Sequence, residues 1–149
     1  MAEEPKDQAT DDPREVVRAL VHNVWNMEDL SFAEKVFPAD WSTGPELPDG
    51  PEGVKAWVRQ EHDSFPDVRY RIEDLIREGD RVAVRWSATG TQLGAFGPIP
   101  PTGRSVTWSG IHIFRVREGS FVEYWVAADS LSRLRQLGVE LRPPSETIA

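Results

Sequence analysis

Two side chains in the last third of the chain have the type and setting for proton chemistry. Asp129 follows Val126, Ala127 and Ala128, and by the two-residue period of a strand it shares a face with Trp125 and Glu123. A carboxylate in water, with a pKa near 3.9, is too weak a base for a carbon acid. Apolar walls raise that pKa towards operating pH. His112 lies in the stretch WSGIHIF, in phase with Trp108, Gly110 and Phe114, where an imidazole can polarise a carbonyl or hold Asp129 by a hydrogen bond. Each has a purely structural alternative. Asp129 is a good N-cap for a helix over 131–137, with Ser130 as a second choice, and a histidine on an apolar strand face is commonly a satisfied core residue.

Aromatic residues surround these two along the chain. Six tryptophans in 149 residues are more than ordinary packing requires. Broad aromatic walls suit a flat, hydrophobic ligand, although the same residues can simply fill a core. Trp86 lies on the apolar strand face Val82, Val84, Trp86, Ala88, while Arg85, Ser87 and Thr89 face the other way. Trp25, Asn26 and Trp41 come from the helical and loop side, where Asn26 can equally serve as a helix C-cap. His62 and His22 fall on helices, and His62 is in phase with Phe65. The candidate substrate-contacting set is therefore Trp25, Asn26, Trp41, His62, Phe65, Trp86, Gln92, Trp108, Phe114 and Trp125.

Other chemistries find no support. Three histidines on three elements, without HxH or HExxH spacing, make no zinc site, and the absence of cysteine removes thiolate ligands and nucleophiles. The glycines of 94–103 alternate with prolines, which suits a stiff lid rather than a phosphate cradle. No GxSxG elbow is present. No metal and no cofactor are expected.

The elements that must position these residues are legible as a change of period. Val16, Val17, Leu20, Val21, Val24 and Trp25 recur at helical spacing after Pro13, with Asp12 as cap. A short helix follows Asp29 or Ser31, burying Phe32, Ala33, Val36 and Phe37, and a third spans about 51–64. From Val68 the period becomes two. Strands are predicted over 68–77, 81–91, 104–117 and 120–129, with short turns after 77 and 117 that imply antiparallel hairpins. Helices first and antiparallel strands afterwards make an α+β fold, a cone-shaped α+β barrel whose curved, mainly antiparallel sheet wraps the N-terminal helices. One domain is expected over 13–140, between a disordered lead-in at 1–12 and a flexible tail at 141–149.

The net charge of −8 argues against nucleic acid as a partner. No apolar run approaches the ~20 residues of a membrane span, and the acidic N-terminus is unlike a secretory signal. A cytoplasmic protein is expected, with no membrane partner.

Four blocks in order carry a family resemblance. They are WNMEDLSFAEKVFPAD at 25–40, DGPEGVKAWV followed by SFPDVRYRIEDLIREGDRVAVRWSATGT at 64–91, PPTGRSV at 100–106, and EGSFVEYWVAADSLSRLRQLG at 118–138. Together they resemble the SnoaL-like polyketide cyclase (ester cyclase) family, within the superfamily of nuclear transport factor two and ketosteroid isomerase. The resemblance implies a cofactor-independent intramolecular aldol closure on a polyketide ester, with one aspartate as acid/base, which falls on Asp129. It also implies histidines where this chain has Gln92 and Trp41-Ser42-Thr43, so the pocket rim is poorer in titratable groups. That departure favours a second possibility, ring closure driven by pocket shape, and a non-catalytic ligand carrier is a third. The expected partners are a small hydrophobic polyketide-like substrate and a second copy of the chain, in a homodimer.

Overall fold

The computed structural model describes residues 12–145. The expectations for 1–11 and 146–149 lie outside them. The first helix begins as α1 (Pro13–Ala19), capped by the Asp12 carboxylate on the Arg14 N–H with Pro13 in the first turn. It continues without a break as a π-helix, Leu20–Asn26, that buries Leu20, Val21, Val24 and Trp25. This wide turn departs from the sequence expectation, because the three- and four-residue spacing of its apolar residues reads as ordinary α-helix. Two short helical segments complete the helical side: α2 (Leu30–Val36) and α3 (Pro51–Ser64), the latter burying Val54, Val58 and Glu61.

Four strands come next: β1 (Arg69–Glu78), β2 (Arg81–Thr91), β3 (Ser105–Arg117) and β4 (Ser120–Ala128). They pair in sequence order, all antiparallel, into one curved sheet that does not close on itself. The first helix packs across β1, β2 and β3, so the sheet wraps it in the expected cone. The last element among the described residues is α4 (Ser130–Gln136), and Gly138 then turns with φ 93°, a left-handed value that glycine adopts freely. No helix among the described residues is long and apolar enough to cross a membrane.

Two bulges set which residues face inward. In β1 the register shifts between Ile72 and Asp74, and in β3–β4 between Arg115 and Val116. The second has consequences for chemistry. Phe121 points into the core before the bulge, and Tyr124, Val126 and Ala128 line the interior after it. One extra residue reverses the phase of the rest of the strand. Trp125 therefore stands on the outer face, 47% exposed, opposite Ile113.

β1 is an edge strand, and its outward backbone groups need partners. Asn26 supplies them: its side-chain amide donates to the Tyr70 carbonyl at 2.9 Å and accepts from the Tyr70 N–H at 2.7 Å. The end of the π-helix is thereby clipped to the sheet. Asn26→Ala leaves both groups bare, and a loss of about 2 kcal/mol is expected in urea unfolding. Asn26→Asp, which keeps only the acceptor, should lose a comparable amount.

Candidate functional site

Between the helices and the concave face of the sheet lies a cavity of about 250 Å³. The helical side gives it Leu20, Trp25, Val54, Trp57 and Glu61, and the irregular segment before α3 gives Phe37, Trp41 and Thr43. The sheet contributes Tyr70, Trp86, Trp108, His112, Phe114 and Tyr124, with Val126, Ala128 and Ser130 along one side. Rings pack against one another around it at edge-on, tilted and stacked angles. Trp25 lies 5.2 Å from both Tyr70 and His112, and Trp41 stacks on Tyr124 at 4.9 Å. The tyrosine's hydroxyl donates to the Thr43 carbonyl at 3.0 Å.

The phase of β2 and β3 brings Trp86, Trp108, His112 and Phe114 to one wall, and Trp25 and Trp41 close over them. Gly110 makes room for this. A Cβ there would sit 2.5 Å from Trp86 Cζ2, so any larger residue would drive the indole out of place. The indole N–H donates to His112 Nδ1 at 2.9 Å. Burial lowers the His112 pKa from 6.5 to about 4, so the ring is neutral at physiological pH.

Other residues of the predicted set stand elsewhere. Asp129 is exposed and outside the cavity lining, and its carboxylate accepts from the Ser132 N–H at 3.1 Å as the N-cap of α4. The β4 bulge is the reason, because it turns the Trp125 face outward. His62 links Glu28 at 3.0 Å to the Trp25 carbonyl at 2.7 Å, satisfying an oxygen at the open end of the π-helix. Asn26 holds β1, as described. Phe65 is fully buried beneath the cavity rather than lining it. Gln92 is also fully buried: its amide donates to the carbonyls of Ile99 and Pro100 and accepts from the N–H and hydroxyl of Thr102. It ties down the loop 92–104.

Sequence reasoning missed a buried charge pair at the cavity wall. Arg133 donates through both terminal nitrogens to Glu61, at 3.2 and 2.7 Å, and the Tyr70 hydroxyl adds a third bond to Glu61 Oε2 at 3.2 Å. Burial and the Glu61 charge push the Tyr70 phenol well above its ordinary pKa, so it stays a protonated donor. Arg133 Nε has no hydrogen-bond partner, but the guanidinium carbon lies 4.0 to 4.6 Å from the ring centroids of Trp108, Phe96 and Phe65. A signal was present. Glu61 falls four residues after Trp57 and three after Val58, and Arg133 four before Leu137, so each polar residue sits on an apolar helical face. Among the described residues, Thr43 Oγ1 is the other buried side-chain polar atom without a partner, and its residue too lines the cavity. Among the described residues no group of three His, Asp or Glu side chains could hold a metal ion.

Known proteins share this fold. The family model for SnoaL-like polyketide cyclases matches residues 15–137. The chain belongs to the SnoaL-like polyketide cyclases. IdmH from Streptomyces antibioticus, a candidate polyketide cyclase, is 30% identical over 86% of this chain and 99% of its own, with a TM-score of 0.72. TsrD from Streptomyces laurentii is 26% identical, covering 87% of this chain and 98% of its own, with a TM-score of 0.78. AclR from Streptomyces galilaeus, a candidate hydroxylase, is 28% identical over 85% of this chain and 95% of its own, with a TM-score of 0.71. No curated protein sequence matches the chain.

Removing one member of a buried ion pair strands the other. Arg133→Met should therefore cost about 3 to 5 kcal/mol in chemical denaturation. The double variant Glu61→Leu/Arg133→Met should lose clearly less than that single variant.

Proposed function

We propose that this SnoaL-like protein closes a ring in a small, flat, hydrophobic polyketide-derived molecule held in the cavity, using only its own side chains. The observation that carries this reading is the aromatic enclosure itself, with one neutral imidazole and one self-neutralised ion pair on its walls. Rigid rings over most of the wall restrict a flexible ligand to folded shapes. Orientation of that kind converts a floppy intramolecular reaction into a favoured one, and it can supply several kcal/mol of barrier lowering. In an aldol version, a carbon–hydrogen bond gives up its proton, a carbon–carbon bond forms, and the attacked carbonyl oxygen takes a proton. The likeness to IdmH supports the reaction class.

A second reading assigns the proton transfer to Asp129. Its position supports this, because both neighbours, Ala128 and Ser130, line the cavity. To act there, the carboxylate must leave the Ser132 N–H that it caps. Asp129→Asn separates the two readings, since asparagine caps a helix equally well and is no base. Deletion of the gene in its host should cause an uncyclised isomer of the normal product to accumulate, as read by mass spectrometry. Complementation with Asp129→Asn should restore the product if confinement drives closure, and should fail if Asp129 is the base. An unchanged metabolite profile on deletion would refute ring closure and leave a ligand carrier.

The outer face of the sheet supports the expectation of a homodimer. Ile76, Ala83, Ile113 and Trp125 pair in register across all four strands, forming one apolar row. Ile76, Ile113 and Trp125 are exposed at 64%, 38% and 47%. Beside the row, Arg85 is matched within the chain by Asp74 at 2.6 Å and Arg115 by Glu123. Two copies can face each other about a twofold axis through this row. Sedimentation should show a dimer, and Ile113→Glu/Trp125→Glu should give monomers with an unchanged circular dichroism spectrum.

A further inference from the structure

The bond between Trp86 and His112 decides more than packing. An indole N–H can only donate, so His112 Nδ1 must be the bare, accepting nitrogen. The proton of the neutral ring is then on Nε2. Ring orientation is fixed too, because a flipped imidazole would present a carbon to the indole. Nε2 has no partner among the described residues, and it is not one of the fully buried unpaired atoms, so it is open to the cavity that His112 lines.

The surroundings hold the ring in this pose. Phe114 stacks on it at 5.1 Å and 11°, Tyr124 lies nearly parallel at 6.1 Å, and Trp25 packs at 5.2 Å. The other titratable or charged groups on the cavity wall are Glu61 from α3, Tyr70 from β1, Tyr124 from β4 and Arg133 from α4. Glu61 and Arg133 neutralise each other, and burial keeps both phenols protonated. No unmatched charge among them is left to meet an ionised ligand.

We propose that Trp86 is a positioning residue that locks His112 as a neutral Nε2–H donor, and that the cavity takes a flat, uncharged molecule presenting a carbonyl oxygen to that donor. The proposal rests on the reading of the cavity as the ring-closing site, and it names the substrate class of that site. When a carbonyl carbon is attacked, or its neighbouring carbon loses a proton, the oxygen gains negative charge. A fixed donor stabilises that charge without reorganising.

The test uses structure and binding rather than turnover, so its failure is distinct from failure of the cyclase reading. Nitrogen-15 NMR of the wild type reads the His112 tautomer directly over about pH 5.5 to 8, a range chosen to span the ordinary histidine pKa. The ligand probes are 2-acetylnaphthalene and 2-isopropenylnaphthalene, which share a shape and differ by a carbonyl. Their bicyclic size suits the cavity, given that an apolar cavity of about 150 Å³ holds benzene. The expected spectrum is Nε2–H throughout, with burial holding protonation down near pH 4. The ketone should bind roughly five-fold tighter than the alkene, the worth of one hydrogen bond. His112→Phe should abolish that advantage. Trp86→Phe should give a mixture of tautomers and a smaller ratio of ketone to alkene affinity. An Nδ1–H tautomer, a ring that charges near pH 6.5, or equal wild-type affinities for the two ligands would each overturn the proposal. Should Trp86→Phe fail to fold, the wild-type spectrum and the His112→Phe comparison still decide it.

Discussion

Taking a carboxylate and a guanidinium out of water is unfavourable by several kcal/mol each, and only near-ideal geometry compensates. Glu61 and Arg133 meet that requirement with two mutual hydrogen bonds, a third from Tyr70, and three aromatic rings around the guanidinium. The pair joins α3 to α4, two elements far apart in the chain, and Tyr70 brings in the edge strand. Phe96 extends the same cluster into the loop that Gln92 ties down. The wall of the cavity is thus one polar joint dressed in aromatic rings. Its members cannot shift singly without exposing a charge to hydrocarbon.

That joint also shapes the chemistry available inside. A cavity that contained a free carboxylate or ammonium would select ionised ligands. Here the strong charges are spent on each other, and the imidazole is kept neutral by burial. What is left to a ligand is rings and directional hydrogen bonds. Such an interior recognises shape first, and then oxygen atoms at particular places.

Much of this is readable in the chain. The helix over 51–64 and the strand over 81–91 have the limits expected of them, because Pro and Gly mark their ends and their periods are uninterrupted. Phase alone brings Trp86, Trp108, His112 and Phe114 to one wall. The same reasoning goes wrong on β4, where it sets Trp125 and Asp129 facing inward. Nothing in Ser120-Phe121-Val122-Glu123 announces a bulge, since bulges answer to the curvature of the whole sheet and not to local propensity. Glu61 and Arg133 escape notice for a different reason. A charged residue on an apolar face is unfavourable alone, and its partner lies 72 positions away, beyond the reach of any periodicity.

The wide turn over Leu20–Asn26 has an evolutionary side. A π-turn is the geometric footprint of one inserted residue in an α-helix, and each residue rotates the rest of the helix by about 100°. The aim of Trp25 into the cavity and of Asn26 onto the sheet edge is therefore stored in chain length rather than in side-chain identity. Substitution tunes such a wall residue by residue. A single deletion in this segment would instead turn both residues away together, so lineages of this fold can change the roof of the cavity in one indel step while the sheet stays as it is.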